Sequence, residues 1–164
     1  MAKIILNIIY VKRNSNFVAR FIYELKFYII MAECSFCKIA NNEIPCFQLF
    51  EDDLAKAFLD INPTSNGHLL VIPKKHFENI FVTPDEVLDR INQVCKKMAI
   101  LCKDKLGATG VNILNASGKD AQQSVFHLHF HVVPRFENDG LDLWFHGKSK
   151  SLDKVKEIQQ KLLS

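Results

Sequence analysis

Apolar residues recur every three or four positions along one segment of the chain, which is the spacing of a single helix face. The segment opens at Thr83–Glu86, where an N-cap residue, a proline at the first helical position and a capping-box glutamate occur together. It is expected to end at Gly107, because glycine is favoured just after a helix. The apolar positions are Val87, Leu88, Ile91, Val94, Cys95, Met98, Leu101 and Cys102. The pattern predicts a long amphipathic helix, with Cys95 and Cys102 in the core.

Short apolar runs bounded by turn residues predict the strands. Phe47–Glu51 and Leu54–Asp60 flank a pair of aspartates, which is typical of a hairpin. His68–Pro73 is a third strand, entered through a turn rich in proline, serine, asparagine and glycine. Two further strands are predicted at Gly110–Asn115 and Ser124–Val133.

Two more helices flank the strand-rich region. Ser35–Asn41 predicts a short helix after a cysteine pair, and Ser151 can cap a last helix. One face of that last helix carries Leu152, Val155, Ile158 and Leu162. The order of helix, strands, long helix, strands and helix favours an α+β fold with a mainly antiparallel sheet over repeating βαβ units.

The 164 residues suit one domain, and their net charge of +3 is unevenly distributed. Residues 1–30 carry +4 and the remainder −1, so the remainder lacks the basic footprint of a general nucleic-acid binder. Charges interrupt residues 1–30 too often for a membrane span. We expect 31–164 to be a single domain and 1–30 to be a loosely ordered extension. Three interpretations of residues 1–30 are open: a misplaced start codon upstream of Met31, an organellar targeting peptide, or a genuine N-terminal element. The first is favoured.

Five cysteines lie between Cys34 and Cys102, an odd number, and no signal peptide with a small-residue cleavage site precedes them. A secreted disulfide framework is therefore disfavoured, and a reducing, cytoplasmic location is expected. Cys34 and Cys37 form a Cys-x-x-Cys motif, which is consistent with a metal site, a redox pair or two reduced thiols. The redox pair is less favoured because no thioredoxin-like βαβ context surrounds it.

The most informative segment is Val125–Pro134, in which His127, His129 and His131 alternate with apolar residues. Side chains alternate across a strand, so the three histidines are expected on one face. The other face would carry Phe126, Leu128 and Phe130. Three imidazoles on one face each need hydrogen bonds, which disfavours a purely structural role. Two interpretations remain from the residues alone, a metal tripod and a nucleophilic site.

The neighbouring residues favour chemistry at phosphorus. Ser117-Gly118 and Gln123-Ser124 lie just before the histidines and offer donors to an anionic oxygen. Asp60 ends an apolar strand, where its carboxylate can accept two ribose hydroxyls. A turn cap is the alternative role for Asp60.

These motifs together resemble the histidine triad superfamily. The resemblance rests on the alternating histidines, on Phe58–Pro63 and His68–His76, on Cys34–Pro45 and on Asn112–Asn115. It covers about residues 33–136 and is closest to the small bacterial-type relatives of the histidine triad nucleotide-binding proteins. It implies a meander of about five antiparallel strands with two main helices. It also implies a homodimer with one continuous sheet, to which the helix after Thr83 contributes.

The resemblance implies a hydrolase of purine nucleoside phosphoramidates, of the adenosine 5'-monophosphoramidase type. Its partner would be a purine nucleotide such as AMP or a nucleoside phosphoramidate, and His129 would become transiently nucleotidylated. Three alternatives stay open: a dinucleoside polyphosphate hydrolase, a non-catalytic nucleotide sensor or scaffold, and an enzyme with a catalytic metal on all three histidines. A nucleotidyl transferase is less favoured, because such relatives typically have glutamine in place of His131. No catalytic metal is expected.

The resemblance also assigns roles to individual residues. His129 is the nucleophile, His131 bonds the phosphate, and His68 supports the site. Gln123 and Ser124 match positions near the phosphate and the leaving group, and Asp60 matches the ribose-binding acid. The apolar wall around the base would comprise Phe36, Ile39, Ile44, Phe58 and Ile61.

Two positions depart from the family pattern. Many members carry asparagine or glutamine eleven residues before the first triad histidine, where this chain has Ala116. Asn115 beside it is the expected substitute in substrate binding. Gln122 stands where the family often has glycine, so the loop is expected to differ in shape.

The resemblance gives the cysteine pair a structural role. Some superfamily members, including galactose-1-phosphate uridylyltransferases, combine such a pair with two histidines in a zinc site. The matching residues are Cys34, Cys37, His76 and His127. Two thiolates and two imidazoles make a closed tetrahedral zinc site. We expect structural zinc that tethers the first helix to the catalytic strand.

Overall fold

The computed structural model describes residues 34–143, 147 and 151–164. The expected extension, residues 1–30, lies outside the described residues. The helices are α1 (Ser35–Ala40), α2 (Asp85–Leu106) and α3 (Leu152–Leu163). The strands are β1 (Gln48–Glu51), β2 (Ala55–Leu59), β3 (Leu69–Pro73), β4 (Gly110–Leu114) and β5 (Phe130–Arg135). The predicted α+β class is confirmed, and no helix among the described residues has the length and hydropathy to cross a membrane.

The five strands form one antiparallel sheet in the order β1-β2-β3-β5-β4. The predicted β1–β2 hairpin is present, and the Asp52 carboxylate accepts the amide hydrogens of Leu54 and Ala55 at 2.9 and 2.8 Å within its turn. β5 lies between β3 and β4, and His131 is opposite Leu70 on β3. The last histidine of the triad therefore lies inside the sheet.

α2 covers one face of the sheet and forms the larger core with the small and aliphatic residues that face it. Cys95 and Cys102 are buried in this core, as predicted. Gly107 ends α2 with φ of +70°, the left-handed conformation that glycine adopts at little cost. The predicted N-cap is wrong, because the Thr83 hydroxyl donates to the carbonyl oxygen of Asn79 at 2.8 Å instead of capping α2.

α1 packs on the opposite face of the sheet and forms a second, smaller core. Its members are Phe36, Ala40, Phe58, Leu70 and Ile72. Burying an aliphatic or aromatic side chain of this size contributes about 1.5–3 kcal/mol. The alternation of side chains in β2 and β3 therefore supplies both α2 and α1 with apolar contacts.

The predicted strand Ser124–Val133 is wrong in its first half, since β5 begins only at Phe130. The Leu128 amide donates to the carbonyl oxygen of Phe77 at 2.6 Å, so the chain before β5 bonds to the segment after β3 rather than to a sheet ladder. Leu128 and Phe130 are buried as predicted. Phe126 was expected to pack with them but is 47% exposed.

α3 begins as predicted, because the Ser151 hydroxyl accepts the amide hydrogen of Lys154 at 3.4 Å. No residue of α3 is buried. The apolar face predicted for this helix is therefore exposed to solvent.

Candidate active site and metal-binding cluster

A cavity of about 520 Å³ opens between α1, the end of β2 and the chain leading into β5. Nine of the residues predicted from the sequence line it, namely Phe36, Ile39, Ile44, Phe58, Asp60, Ile61, Ser124, His129 and His131. α1 supplies apolar side chains to the lining, and the ring of Phe36 lies edge-on to that of His129, with the centroids 5.2 Å apart. The fold thus brings together a candidate nucleophile, a carboxylate and an apolar wall.

The ring of His129 has its tautomer fixed by the backbone. Its Nδ1 lies 2.7 Å from the carbonyl oxygen of His127, so Nδ1–H donates and Nε2 keeps its lone pair. Burial lowers the pKa of His129, and the bond to the carbonyl opposes this only in part. At neutral pH the ring is therefore uncharged and nucleophilic at Nε2.

His131 is oriented by a chain of hydrogen bonds. The amide of Thr64 donates to Nδ1 of His68 at 3.1 Å, so the proton of neutral His68 is on Nε2. That Nε2–H lies 3.0 Å from Nδ1 of His131 and donates to it. The remaining proton of His131 is therefore on Nε2. Burial and the neighbouring His129 and His68 lower the pKa of His131 to about 4, and burial lowers the pKa of His68.

Asp60 combines the two roles considered from the sequence. Its Oδ1 accepts the amide hydrogen of Asn62 at 2.8 Å, which is the turn-capping role. The side chain also lines the cavity, and Oδ2 lies 3.7 Å from Nδ1 of His68. Because that nitrogen already accepts from Thr64, Oδ2 is not bonded to it and stays available as an acceptor.

Three predicted site residues lie outside the cavity lining: His68, Gln123 and Asn115. The Gln123 amide nitrogen donates to the carbonyl oxygens of Glu78 and Val125 at 2.6 and 3.0 Å, and its oxygen accepts from Gly118 at 2.7 Å. It fastens the loop before the histidines.

Asn115 supports the catalytic backbone rather than the cavity surface. Its amide nitrogen donates to the carbonyl oxygen of His129 at 2.9 Å, and its side-chain oxygen accepts the Ser117 hydroxyl at 2.8 Å. Contacts of Asn115 and Gln123 with a phosphate stay predictions.

Eight lining residues were not predicted from the sequence: Ser35, Pro45, Cys46, Phe47, Leu59, Asn62, Leu70 and Val125. All eight lie within a few positions of a predicted site residue, so widening each motif would have found them. Leu70 is opposite His131 on β3. Leu70 therefore has both a local signal, its place two residues after His68, and a non-local one, the β3–β5 pairing.

A second cluster lies beside the cavity and contains Cys34, Cys37, His76 and His127, whose ligand atoms are all within 4.8 Å of one another. Nδ1 of His127 is 3.5 and 3.4 Å from the sulfurs of Cys34 and Cys37, and Nδ1 of His76 is 3.3 Å from that of Cys37. Ordinary zinc bond lengths in a tetrahedron place such sulfur and nitrogen atoms roughly 3.6 Å apart. The four side chains are positioned to bind a metal.

The protonation of the cluster also suits a metal. Nε2 of His127 is 2.9 Å from the carbonyl oxygen of Pro73, and by donating to it this nitrogen would leave the lone pair of Nδ1 for a metal. Burial opposes ionisation of Cys34, yet hydrogen bonds with His127 and His76 lower the pKa of Cys34 to about 5. Burial and the neighbouring Cys34 raise the pKa of Cys37 to about 12. A bound cation would take the place of the thiol proton.

The HIT domain family model matches residues 41–138, which is more than half of the chain. The chain belongs to the HIT family. A HIT-like protein of Borreliella burgdorferi is 44% identical over 136 residues, covering 80% of this chain and 97% of that protein. An adenosine 5'-monophosphoramidase of Saccharomyces cerevisiae is 40% identical over 134 residues, covering 81% and 82%.

Solved HIT structures share the fold. A zinc-bound histidine triad family protein from Mycobacterium smegmatis superposes with a TM-score of 0.67 at 32% identity, covering 82% of this chain and 99% of that one. The predicted family is therefore confirmed. The five-stranded antiparallel sheet is the architecture of a HIT domain.

Proposed function

We propose that this HIT protein is a nucleotide-binding hydrolase that cleaves purine nucleoside phosphoramidates, with His129 as the nucleophile. One observation carries the proposal: two neutral rings of opposite tautomer line the same cavity. His129 has a free lone pair at Nε2, and His131 has a proton at Nε2. Together they provide a nucleophile for phosphorus and a donor for a phosphate oxygen.

The reaction proceeds in two displacements. Nε2 of His129 attacks the α-phosphorus, the P–N bond to the amine breaks, and the amine leaves with the proton of the Ser124 hydroxyl, which takes another from solvent water. His131 donates to a non-bridging oxygen of the phosphorus. Water then attacks the same phosphorus and loses a proton to solvent, the bond to His129 breaks, and the nucleoside monophosphate leaves. The carbonyl of His127 stabilises the charge that His129 carries while it is nucleotidylated.

The remaining cavity residues suit a nucleoside. Oδ2 of Asp60 accepts a ribose hydroxyl, and the apolar side chains on and after α1 contact the base. Phe36 and Phe58, whose ring centroids are 5.9 Å apart, form the buried part of this wall. Its exposed rim includes Ile61. The relative from Saccharomyces cerevisiae, whose name is that of an adenosine monophosphoramidase, supports an adenine nucleotide.

The charge of the cavity favours an amine leaving group over a polyphosphate. Among the described residues that line it, Asp60 has the only permanent charge, and no lysine or arginine is present. A polyphosphate leaving group carries several negative charges that would need cations. A dinucleoside polyphosphate is therefore the second candidate substrate, and a sensor that binds nucleotide without turnover is the third.

We also propose that the cysteine–histidine cluster holds structural zinc. The donor set matches zinc, and the zinc-bound relative from Mycobacterium smegmatis supports this identity. With four protein ligands the ion leaves no position for substrate, and it supplies a cross-link between α1 and the chain before β5. No disulfide joins any of the five cysteines, all of which lie among the described residues, in keeping with the cytoplasmic location that we propose.

The homodimer implied by the resemblance is a proposal as well. Within the described residues β4 pairs only with β5, so its outer edge has unpaired backbone groups. An edge strand of this kind can pair with its counterpart in a second copy and extend the sheet.

The single domain of residues 31–164 stays a prediction.

The test is turnover of adenosine phosphoramidate by the reduced protein, with His129→Gly as the matched variant. We expect the wild type to release AMP and the variant to bind AMP without turnover. Hydrolysis of dinucleoside polyphosphates alone would favour the second candidate. Binding of AMP with no turnover of either substrate class would contradict the proposed enzyme and favour the sensor.

A further inference from the structure

Lys56 is a fully buried lysine in the middle of a strand. Its neighbours Ala55 and Ala57 face α2, so alternation places the Lys56 side chain on the other face of the sheet, the face that α1 covers. A buried ammonium is costly unless each of its three hydrogens is bonded. The acceptors of the Lys56 ammonium group therefore indicate which parts of the chain it joins.

Three acceptors surround the ammonium group. Nζ lies 3.1 Å from the carbonyl oxygen of Ile39, 2.5 Å from Oδ1 of Asn42 and 3.3 Å from the Glu51 carboxylate. Ile39 belongs to the last turn of α1, and Asn42 follows the helix with φ of +62°. A cation at this end of a helix satisfies carbonyl groups that have no partner within the helix. Two of the three contacts thus fasten the C-terminal end of α1.

α1 needs such fastening because it has only six residues, too few for a stable isolated helix. At its first end, the sulfurs of Cys34 and Cys37 contact Nδ1 of His127 at 3.5 and 3.4 Å. Its other end supplies Ile39 and leads to Ile44, and both line the cavity together with Phe36. Lys56 itself does not line the cavity.

We propose that Lys56 is a positioning residue for the nucleotide pocket, because its ammonium group fastens the end of α1 that carries Ile39 and leads to Ile44, two members of the apolar wall. The inference rests on the proposed function for the identity of the ligand. It assigns the wall two independent anchors, the metal cluster at the start of α1 and Lys56 at its end. Lys56 acts through α1 and touches no reacting atom.

The chain offers a matched control in Lys74. Its ammonium bonds the same Glu51 carboxylate at 2.7 Å, and its side chain is about a third exposed. Lys56→Met and Lys74→Met therefore make the same chemical change and leave the same carboxylate with one partner fewer. Only the first removes the contacts with Ile39 and Asn42.

Two measurements on the full-length, reduced, metal-loaded protein test the proposal. The first is calorimetric affinity for AMP together with kcat and KM, and the second is hydrogen exchange of the peptide spanning α1. For Lys56→Met we expect about tenfold weaker AMP binding and higher KM, with kcat within about twofold. Exchange should rise in α1 and not in β3 or β5. Lys74→Met should behave as the wild type in both.

Unchanged AMP affinity together with unchanged exchange in α1 would overturn the proposal, as would an equal effect of Lys74→Met. A kcat loss without a KM change would also overturn it. If the wild type binds no AMP, the proposed function fails, and exchange in α1 still decides whether Lys56 is the anchor.

Asn42 provides a second route if Lys56→Met does not fold. Asn42→Gly keeps the positive φ but removes one acceptor, and it should weaken AMP binding and loosen α1. Asn42→Asp keeps an oxygen acceptor and should restore both. Equal AMP affinity and equal exchange of α1 in Asn42→Gly and Asn42→Asp would contradict the proposal that Lys56 anchors α1 through Asn42.

Discussion

His127 contributes its ring to the cysteine–histidine cluster and its carbonyl oxygen to His129, whose Nδ1 lies 2.7 Å away. One residue thereby joins the candidate metal site to the candidate nucleophile. The ring of His127 is held a second time by the carbonyl of Pro73, at 2.9 Å. The position of the hydrogen-bond acceptor of the candidate nucleophile therefore depends on a buried residue that has no reacting atom of its own.

Removing the metal should destabilise the protein before it affects the chemistry. We expect close to one zinc per chain in the reduced wild type and much less in Cys37→Ser. A loss of about 2–3 kcal/mol would lower Tm by roughly 5–10 °C in a domain of this size. Metal analysis and thermal unfolding test this, with Cys46→Ser, which lies outside the cluster, as the control. Far less than one zinc per wild-type chain would contradict the zinc proposal.

His68 should control the tautomer of His131. His68→Ala removes the proton donor to Nδ1 of His131, so the ring can carry its proton on either nitrogen. We expect kcat/KM for the phosphoramidate to fall by about 10–100-fold, mainly through kcat. Nitrogen NMR shifts of His131 should show mixed tautomers in the variant and a single one in the wild type. A single Nε2–H tautomer of His131 in both the variant and the wild type would show that His68 does not set that tautomer.

Stability should fall on mild acidification because of the buried histidines. Burial lowers the pKa of His68 and lowers that of His131 to about 4, whereas the unfolded chain has the usual value near 6.5. Between these values the unfolded chain binds more protons, so the free energy of unfolding is full above about pH 6.5 and falls as the pH decreases toward 4.

His131→Gln removes one of these groups and should flatten that dependence by at most about 1.4 kcal/mol per pH unit. Urea unfolding at about pH 7.5 and about pH 5 measures the difference. An identical pH dependence in the variant and the wild type would show that His131 is not held neutral by burial.

Asp60 should discriminate ribose from deoxyribose. Asp60→Asn keeps an oxygen for the amide of Asn62 but replaces the carboxylate oxygen that we propose as the acceptor of a ribose hydroxyl. We expect the variant to bind AMP about tenfold more weakly. It should bind 2'-deoxy-AMP almost as well as the wild type does. Equal losses for both nucleotides, measured by calorimetry, would argue against a ribose contact.

Local signals predicted those parts of the fold that depend on neighbours in sequence. The end of α2 at Gly107 and the cap of α3 at Ser151 needed only the residues beside them. The start of β5 was misjudged because the Leu128 amide bonds to Phe77, a contact across the chain. Thr83 does not cap α2 for a local reason, since its hydroxyl donates to the carbonyl oxygen of Asn79 four residues earlier.

In the candidate site, too, local sequence signals predicted only what depends on residues close together in the chain. Spacing alone put the three histidines in one segment, and the resemblance supplied the residues that surround the cavity. The orientation of Asn115 toward the carbonyl of His129 had no sequence signal. Lys56 had none either, because a lysine between two alanines in a strand is usually exposed. Only the packing of α1 on the sheet shows that this lysine is buried.

The central claim is that His129 forms a covalent bond to phosphorus, and mass spectrometry of the intact protein tests it most directly. The protein is mixed with adenosine phosphoramidate and denatured at alkaline pH within the first turnovers. We predict a mass increase of one adenylyl group, located on His129 by peptide mapping and absent in His129→Gly. Rapid AMP release without this adduct, or an adduct on another residue, would contradict the account.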